Sequence, residues 1–244
     1  YLKVGLFCGQ DTVQVSAKRA FLVRDAVSKA VLEHVPAGTV LNVRQQSGKF
    51  QLGGKAIQAS SLELAAEERE SSLFVVHGKS YRGSLLLQMH SAGITVINEV
   101  SLEAYLYGVI PKEMPAEWPA EALKAQAVAA RTFALYQRGR HHTEGYDVCA
   151  TTHCQVYGGT AAERSETNAA VDATRGEVLY AAGKPIDAFF HTDSGGMTEN
   201  SENVWGTYYP YLRAARESVS KTNPWQVKYT VPELQVKLKE AGYD

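Results

Sequence analysis

The 244-residue sequence has few cysteines, almost no net charge and no long apolar run. Three cysteines are too few for a disulfide scaffold, and an odd number excludes complete pairing within the chain. A formal net charge of −1 gives no overall attraction to nucleic acid or to an anionic membrane. No apolar segment reaches the roughly 18 residues that a membrane-spanning helix needs. The composition that remains is that of an ordinary globular protein.

The two ends of the sequence have the character of a piece cut from a longer protein. It begins at Tyr1 with a strand-like run over residues 2–7, and it ends at Asp244 just after a helix-like segment. We expect that an N-terminal targeting or anchoring segment and further C-terminal residues are absent from it.

The pattern of apolar residues predicts an α+β fold with a β-rich N-terminal part. Short alternating runs bounded by Gly, Ser or Asp predict strands at 2–7, 13–16, 20–23, 39–43, 50–52, 72–77, 85–90 and 94–97. Residues 62–70 fit a short helix or a loop. An alanine-rich run predicts a buried central helix over about 119–138, with Pro119 at its first position. Shorter helices are predicted at 166–174 and 232–241, with a hairpin between 177 and 191.

One carboxylate, Glu113, has an unusual setting. Pro111 and Pro115 restrict the backbone on both sides, so the sequence predicts a stiffened turn ahead of the central helix. Met114 and Trp118 offer apolar cover, and burial keeps a carboxyl group protonated near neutral pH, as a general acid must be. A plain surface carboxylate is the alternative.

A cluster of histidine and cysteine marks a candidate metal site between residues 141 and 154. His141, His142, Cys149, His153 and Cys154 supply the ligand types of tetrahedral zinc. Two alternatives stay open, a Cys149–Cys154 disulfide and a pair of free thiols. Two Cys and two His would fill the coordination shell, so the zinc would be structural. Outside this cluster, Cys8 is predicted to be a small buried strand residue.

Two further segments suggest ligand binding. Lys124 and Arg131 lie seven residues apart on one helix face, which fits either substrate binding or a solvated stripe. The loop from Ser194 to Trp205 is rich in hydroxyl and amide groups and suits a carbohydrate, with a simple turn as the alternative. It lacks the Gly-x-Ser-x-Gly motif of a serine hydrolase.

Four ordered stretches then resemble the stage II sporulation protein D family, which also includes amidase-enhancer proteins. They cover residues 81–84, 97–115, 118–132 and 194–205, within a region of resemblance that spans 81–213. The resemblance implies an extracytoplasmic, membrane-anchored peptidoglycan lytic transglycosylase. It would cleave the β-1,4 bond between N-acetylmuramic acid and N-acetylglucosamine in peptide-stripped glycan strands, leaving 1,6-anhydro ends.

The resemblance also assigns partners and site residues. Its sporulation members act with an amidase and a scaffold protein during engulfment. Glu113, in the Glu-Met-Pro motif, corresponds to the catalytic acid, and some members bind zinc through a cluster similar to His142, Cys149, His153 and Cys154, with His141 as a substitute for His142. We also predict a glycan-binding groove, which binds its ligand through Lys112, Trp118, Lys124, Arg131, Gln155, Tyr157, Ser194, Gly195, Asn200, Asn203 and Trp205.

We therefore predict one catalytic region over 1–244, with a β-rich flank (1–80), a motif-bearing core (81–213) and an extension (214–244). The single acid favours transglycosylation, because hydrolytic glycosidases need two carboxylates whereas a transglycosylase uses the sugar's own C6 hydroxyl. Two rival functions remain, a non-catalytic glycan-binding activator of an amidase and a purely structural cell-wall adaptor.

Overall fold

The computed structural model describes residues 1–68, 72–217 and 226–243. The chain forms two compact units, Tyr1–Phe190 and His191–Asp244. The fold is α+β and rich in strand, as predicted. The boundary at residue 190 falls inside the 81–213 core, and the prediction of one catalytic region stays a prediction. Within the described ranges, no helix is long and apolar enough to span a bilayer.

Strands occupy most of residues 2–100 in the first unit. In chain order they are β1 Leu2–Gln10, β2 Thr12–Ala17, β3 Phe21–Asp25, β4 Val31–Val35, β5 Leu41–Gln46, β6 Lys49–Leu52, β7 Lys55–Ile57, β8 Ser61–Ala65, β9 Leu73–Val76, β10 Lys79–Arg82, β11 Ser84–His90 and β12 Gly93–Val100, followed later by β13 Val148–Cys149, β14 Tyr180–Ala181 and β15 Lys184–Pro185.

These strands form two larger sheets and a small hairpin. One sheet has the order β13-β1-β12-β11-β8-β3-β4, the other the order β10-β9-β2-β5-β6-β7, and β14 pairs with β15. Neighbours are antiparallel except β13, which adds in parallel to β1 through Val4–Val148 and Gly5–Cys149. Val4, Val96, Val13 and Phe50, from both sheets, belong to one hydrophobic cluster, so the sheets share a core.

The eight predicted strands are confirmed with shifted ends. The predicted hairpin is present but shorter, formed by β14 and β15, and residues 186–191 are not part of it. Five strands were not predicted: β4, β7, β8, β10 and β13. Residues 61–65 form β8, so the predicted helix or loop at 62–70 is wrong there; residues 69–70 lie outside the described part. Leu62 and Leu64 point into the core while Ser61 and Glu63 are partly exposed. This alternation of period two is a strand signal that the acidic residues obscured.

Three α-helices follow the sheets in the first unit: α1 Leu102–Glu113, α2 Ala120–Tyr136 and α3 Ser165–Ala173. The second unit contains α4 Ser201–Trp205, where the sequence predicted a loop, and α5 Val231–Glu240. Helix α2 confirms the predicted alanine-rich helix, but it packs chiefly on α1 and α3 instead of lying at the centre of the β-rich part.

Glu113 is the last residue of α1, which corrects the prediction of a stiffened turn ahead of α2. Pro111 lies inside the last turn of α1 and does not end the helix at once. The amide of Met114 still donates to the carbonyl of Ile110 over 3.0 Å. Proline cannot donate the backbone hydrogen bond that position 111 would otherwise give to the carbonyl of Tyr107, and the helix continues for only two more residues.

Arg131 of α2 is fully buried, at 0% exposure. Its guanidinium forms a two-pronged ion pair with Glu103 of α1, with N–O distances of 2.7 and 3.0 Å. It also donates to the carbonyls of Val171 in α3 and Glu177 beyond it, over 3.1 and 3.2 Å. A buried charge is tolerated only when it is paired and hydrogen-bonded, so this contact fixes the three helices together.

We predict that Glu103→Ala lowers the free energy of unfolding by about 3–5 kcal/mol, because it leaves the buried guanidinium unpaired. The matched control is Glu121→Ala, which removes the exposed Glu121–Lys124 pair and should cost about 0.5 kcal/mol or less. Urea unfolding followed by circular dichroism measures both. Equal losses in the two variants would show that the buried pair does not hold the helices.

Candidate functional site

The carboxyl group of Glu113 lies at the C-terminal end of α1 and is half-buried. Burial raises its pKa above the usual value for glutamic acid, and a hydrogen bond from the backbone amide of Val156 partly offsets that rise. The carbonyl groups at a helix C-terminus also disfavour a negative charge nearby. Glu113 thus has a raised pKa, and the amide of Val156 donates a hydrogen bond that stabilises its negative charge once the carboxyl group ionises.

The segment that carries Val156 is held against α1 by close packing. Gly108 faces the ring of Tyr157, and a Cβ atom there would come within 2.6 Å of that ring. The amide of Gly158 donates to the carbonyl of Gly108 over 3.0 Å. Glycine at position 108 therefore sets how closely residues 156–158 approach the helix that ends in Glu113.

Glu113 opens into a cleft with a volume of about 420 Å³. Its lining combines aromatic rings with a few polar groups, and consists of Glu113, Phe133, Arg140, Thr152, His153, Cys154, Gln155, Val156, Ala188, Phe189 and Phe190. Glu113 is the one carboxylate among these lining residues. A larger cavity of about 580 Å³, beside β3 and β4, contains none of the predicted site residues.

Four candidate metal ligands meet at one wall of this cleft. His141, Cys149, His153 and Cys154 present ligand atoms that all lie within 4.8 Å of one another. Nδ1 of His153 is 3.8 Å from Sγ of Cys149 and 3.7 Å from Sγ of Cys154, which is itself 3.5 Å from Nε2 of His141. Ligands of tetrahedral zinc lie about 3.3–3.8 Å apart, so the group fits that ion.

The structure brings His141 into the group in place of the predicted ligand His142. The ring of His142 is exposed, and its Nδ1 lies 3.2 Å from the carbonyl of Gly139. His141 instead stacks on Tyr146 and places Nδ1 3.5 Å from the carboxylate of Glu144. A carboxylate behind a metal-binding histidine is a common orienting contact. The sequence spacing to Cys149 does not show which of the adjacent residues His141 and His142 belongs to the ligand group.

All three cysteines are free thiols, so the disulfide alternative is not seen. Burial opposes ionisation of Cys149, but hydrogen bonds to Thr151 and His153 outweigh it and lower its pKa to about 7. Burial raises the pKa of Cys154 to about 11. Cys8 is exposed, contrary to prediction, because β1 pairs irregularly with β12 between Phe7 and Gln10.

The remaining predicted binding residues of the first unit separate into three groups. Gln155 lines the cleft, but its side chain is buried, accepts from the hydroxyl of Tyr105 over 3.2 Å and donates to the carbonyl of Ala130 over 3.4 Å. Arg131 and Tyr157 are buried, and the hydroxyl of Tyr157 donates to Asn98, so neither side chain is available to a substrate. This corrects both predictions. Lys112, Trp118 and Lys124 lie outside the cleft lining. Lys124 pairs with Glu121, and Trp118 is exposed.

In the second unit, most of the predicted sugar-binding polar groups have partners of their own. Ser194 donates to Glu217, Asn203 donates to Glu199 over 2.9 Å, and Asn200 accepts from the amide of Ala214 over 2.8 Å. Gly195 adopts a positive φ of 67° in the turn. These bonds build the loop, whereas Trp205 is half-exposed on α4.

Several residues in and beside the cleft were not predicted from the sequence. Arg140 immediately precedes the histidine pair, and its charge beside a metal-binding motif is a signal that could have been noticed. Phe133, Phe189 and Phe190 gave no distinct signal, because apolar residues in a helix or strand are most simply read as core. Glu144, three residues after His141, is where an orienting carboxylate would be sought.

Comparison with known proteins supports the resemblance. Residues 90–180 match the family model described as Stage II sporulation protein. An uncharacterized protein of Brachyspira hyodysenteriae is 40% identical over 66% of this chain, and the amidase enhancer of Bacillus subtilis is 37% identical over 82%. The stage II sporulation protein D of Bacillus amyloliquefaciens is 36% identical over 61%.

The chain spans less than half the length of each of these relatives: 45%, 28% and 49% respectively. The matched segment 90–180 contains Glu113 and all four members of the histidine and cysteine group. Relatives of both names, sporulation protein D and amidase enhancer, align with this chain. The resemblance of this chain to the stage II sporulation protein D family is therefore confirmed.

Proposed function

We propose that the protein is a peptidoglycan lytic transglycosylase that acts in cell-wall remodelling outside the cytoplasm. The observation that carries the proposal is Glu113, a half-buried carboxyl group with a raised pKa inside a cleft. Its substrate would be the β-1,4 bond between N-acetylmuramic acid and N-acetylglucosamine.

The reaction needs one group that first donates a proton and then accepts one. Neutral Glu113 protonates the glycosidic oxygen as the C1–O bond breaks, releasing the N-acetylglucosamine end. The C6 hydroxyl of the muramic acid then attacks C1, and ionised Glu113 accepts its proton. The Val156 amide, which donates to Glu113, stabilises the carboxylate between these two steps. The product is a 1,6-anhydro end, and no water is consumed.

The composition of the cleft favours this route over hydrolysis. Hydrolytic glycosidases use a second carboxylate as base or nucleophile. Among the residues that line the cleft, only Glu113 carries one. The rings of Phe133, Phe189 and Phe190 supply the apolar faces on which sugar rings pack.

We propose that His141, Cys149, His153 and Cys154 hold a zinc ion. Four protein ligands complete its shell, so the ion would supply a structural cross-link and no open position. Thr152 to Val156 lie on the wall of the Glu113 cleft. The cross-link would hold this segment in place and, with it, the Val156 amide.

A second function is favoured by the amidase enhancer, a relative that aligns over 82% of this chain. In this alternative the protein binds glycan strands and stimulates a partner amidase without cleaving the strands itself. A sporulation scaffold protein as a further partner also remains a proposal.

We predict that Glu113→Gln lowers the formation of 1,6-anhydromuramyl ends from peptide-free glycan strands by about 100-fold or more, because the amide cannot transfer a proton. Mass spectrometry of the digests measures the product. Glu117→Gln, an exposed carboxylate four residues away, is the matched control and should cleave normally. Full activity of Glu113→Gln, or no activity in the wild type, would contradict the enzyme proposal. Stimulation of an amidase by an inactive Glu113→Gln variant would support the alternative.

We predict a pH-dependent gain of stability in Glu113→Gln. Burial raises the pKa of Glu113 in the folded protein. The stability that this group contributes to the wild type is therefore fully present below the ordinary pKa of glutamic acid and is lost as pH rises through the raised value. The variant should therefore exceed the wild type in unfolding free energy more at about pH 8 than at about pH 4. Urea unfolding at the two pH values measures this, and a gain confined to the acidic side would contradict the assignment.

We predict that His141→Ala lowers bound zinc well below one equivalent, because it removes one of four ligands, whereas His142→Ala leaves the zinc content unchanged. Elemental analysis of the purified variants measures both. Cys149→Ser and Cys154→Ser should behave like His141→Ala. Loss of zinc from His142→Ala alone would restore the ligand set predicted from the sequence.

A further inference from the structure

A shallow hollow of about 430 Å³ lies on the outer face of the sheet that contains β5 and β6. Pairing of these two strands places Val43 and Leu52 in the core and turns Arg44 and Gln51, which are also partners in the register, to the opposite side. The hollow shares no lining residue with the Glu113 cleft. It is lined by Asn42, Arg44, Gln46, Gln51, Gly53 and Gly54.

Two tight turns fix the strands that carry these side chains. Ser47 and Gly48 join β5 to β6, Gly53 and Gly54 join β6 to β7, and all four residues have positive φ. This is the backbone of two-residue hairpin turns, which hold the register of the strands on either side. A Cβ atom at either Gly53 or Gly54 would meet open space, so nothing closes this end of the hollow. The hollow is therefore formed before any ligand arrives.

The polar groups of the hollow have unused hydrogen-bonding capacity. Within the described part of the chain, no hydrogen bond or ion pair engages the three side-chain amides or the guanidinium of this lining. Each amide has two N–H donors and a carbonyl acceptor, and the guanidinium of Arg44 has five N–H donors. The sequences of β2, β5, β6 and β7 contain no Asp or Glu, so no carboxylate of these strands competes for Arg44.

This set of groups fits a sugar better than a simple anion. A phosphate or carboxylate offers acceptors only, and it would leave the three amide oxygens without donors. A sugar offers hydroxyl groups, each of which both donates and accepts, and an N-acetyl group adds one N–H and one carbonyl. Asn42, Gln46 and Gln51 can pair with both kinds of group, while the fork of Arg44 donates to two neighbouring oxygens.

We infer that this hollow is a second carbohydrate-binding site, and that its ligand is a β-1,4 glycan of N-acetylated sugars. The choice of this glycan rests on the proposed function, whereas binding at the hollow requires no cleavage. At the other edge of the same sheet, the carbonyl of Ser80 in β10 accepts from the hydroxyl of Thr160. The sheet and the segment after Val156 thus belong to one unit. A strand held at the hollow would stay near Glu113, which raises its effective concentration at the cleft.

Chemical-shift mapping by NMR with chitin oligosaccharides tests the inference. These chains have the β-1,4 link and the N-acetyl groups of the proposed ligand but no muramic acid, so the proposed reaction cannot consume them. We expect the backbone amide signals of β5 and β6 to shift during the titration. Shifts confined to residues of the Glu113 cleft would overturn the inference. Equal shifts with dextran, which has no N-acetyl group, or with polyphosphate, which offers acceptors only, would overturn it too.

The double variant Gln46→Ala/Gln51→Ala should raise the Kd measured at β5 and β6 by about tenfold or more, the loss expected for two hydrogen bonds. Gln58→Ala is the matched control, because Gln58 is an exposed amide just after β7 that does not line the hollow. It should bind like the wild type. The dispersion of the same spectra reports whether each variant is folded, and an unchanged Kd in a folded double variant contradicts the inference.

Cleavage assays separate this inference from the proposed function. If the wild type makes no anhydro ends but chitin oligosaccharides shift the signals of β5 and β6, the second site stands and transglycosylation fails. If glycan strands are cleaved but those signals do not move, transglycosylation stands and the second site fails.

Discussion

A guanidinium that lies wholly out of water determines how the helices of the first unit can be arranged. Arg131 is neutralised by Glu103 of α1 and completes its hydrogen bonds on α3 and the segment after it. A displaced helix would leave one of these donors unsatisfied, which would cost more than most single contacts contribute. The direction of α1, and so the place where its last residue points, follows from this ion pair.

From that last residue, a short chain of contacts connects the proposed acid to the proposed metal. Glu113 accepts from Val156, and two residues before Val156 comes Cys154. His153, beside Cys154, contacts Arg140 across the cleft. The proposed proton transfer and the proposed metal binding would thus depend on one stretch of backbone, residues 153–156. If a metal binds as proposed, its loss would displace the Val156 amide that donates to Glu113.

Local patterns in the sequence predicted much of this and failed where the answer depends on distant contacts. The alternation of apolar and polar residues predicted eight strands, and the helical spacing of alanines predicted α2, because both patterns repeat within a few residues. The residue types of the metal cluster were also local, but the choice between His141 and His142 depends on which ring stacks on Tyr146. Arg131 was misread for the same reason, since its buried partner Glu103 lies 28 residues away. Glu113 was predicted as the catalytic acid from the residues beside it in the sequence, although the helix that ends at Glu113 was not predicted.

The two-residue strand β13 has a consequence for the order in which the protein can fold. Cys149 is positioned by parallel pairing with Gly5, and Asp147 accepts from the amide of Lys3 over 2.9 Å. These contacts close a loop of more than 140 residues, the kind that forms slowly and late. During synthesis, the first strand leaves the ribosome long before the cysteines do. The proposed zinc ligands, which all lie between residues 141 and 154, can therefore come together only after most of the first unit has been made.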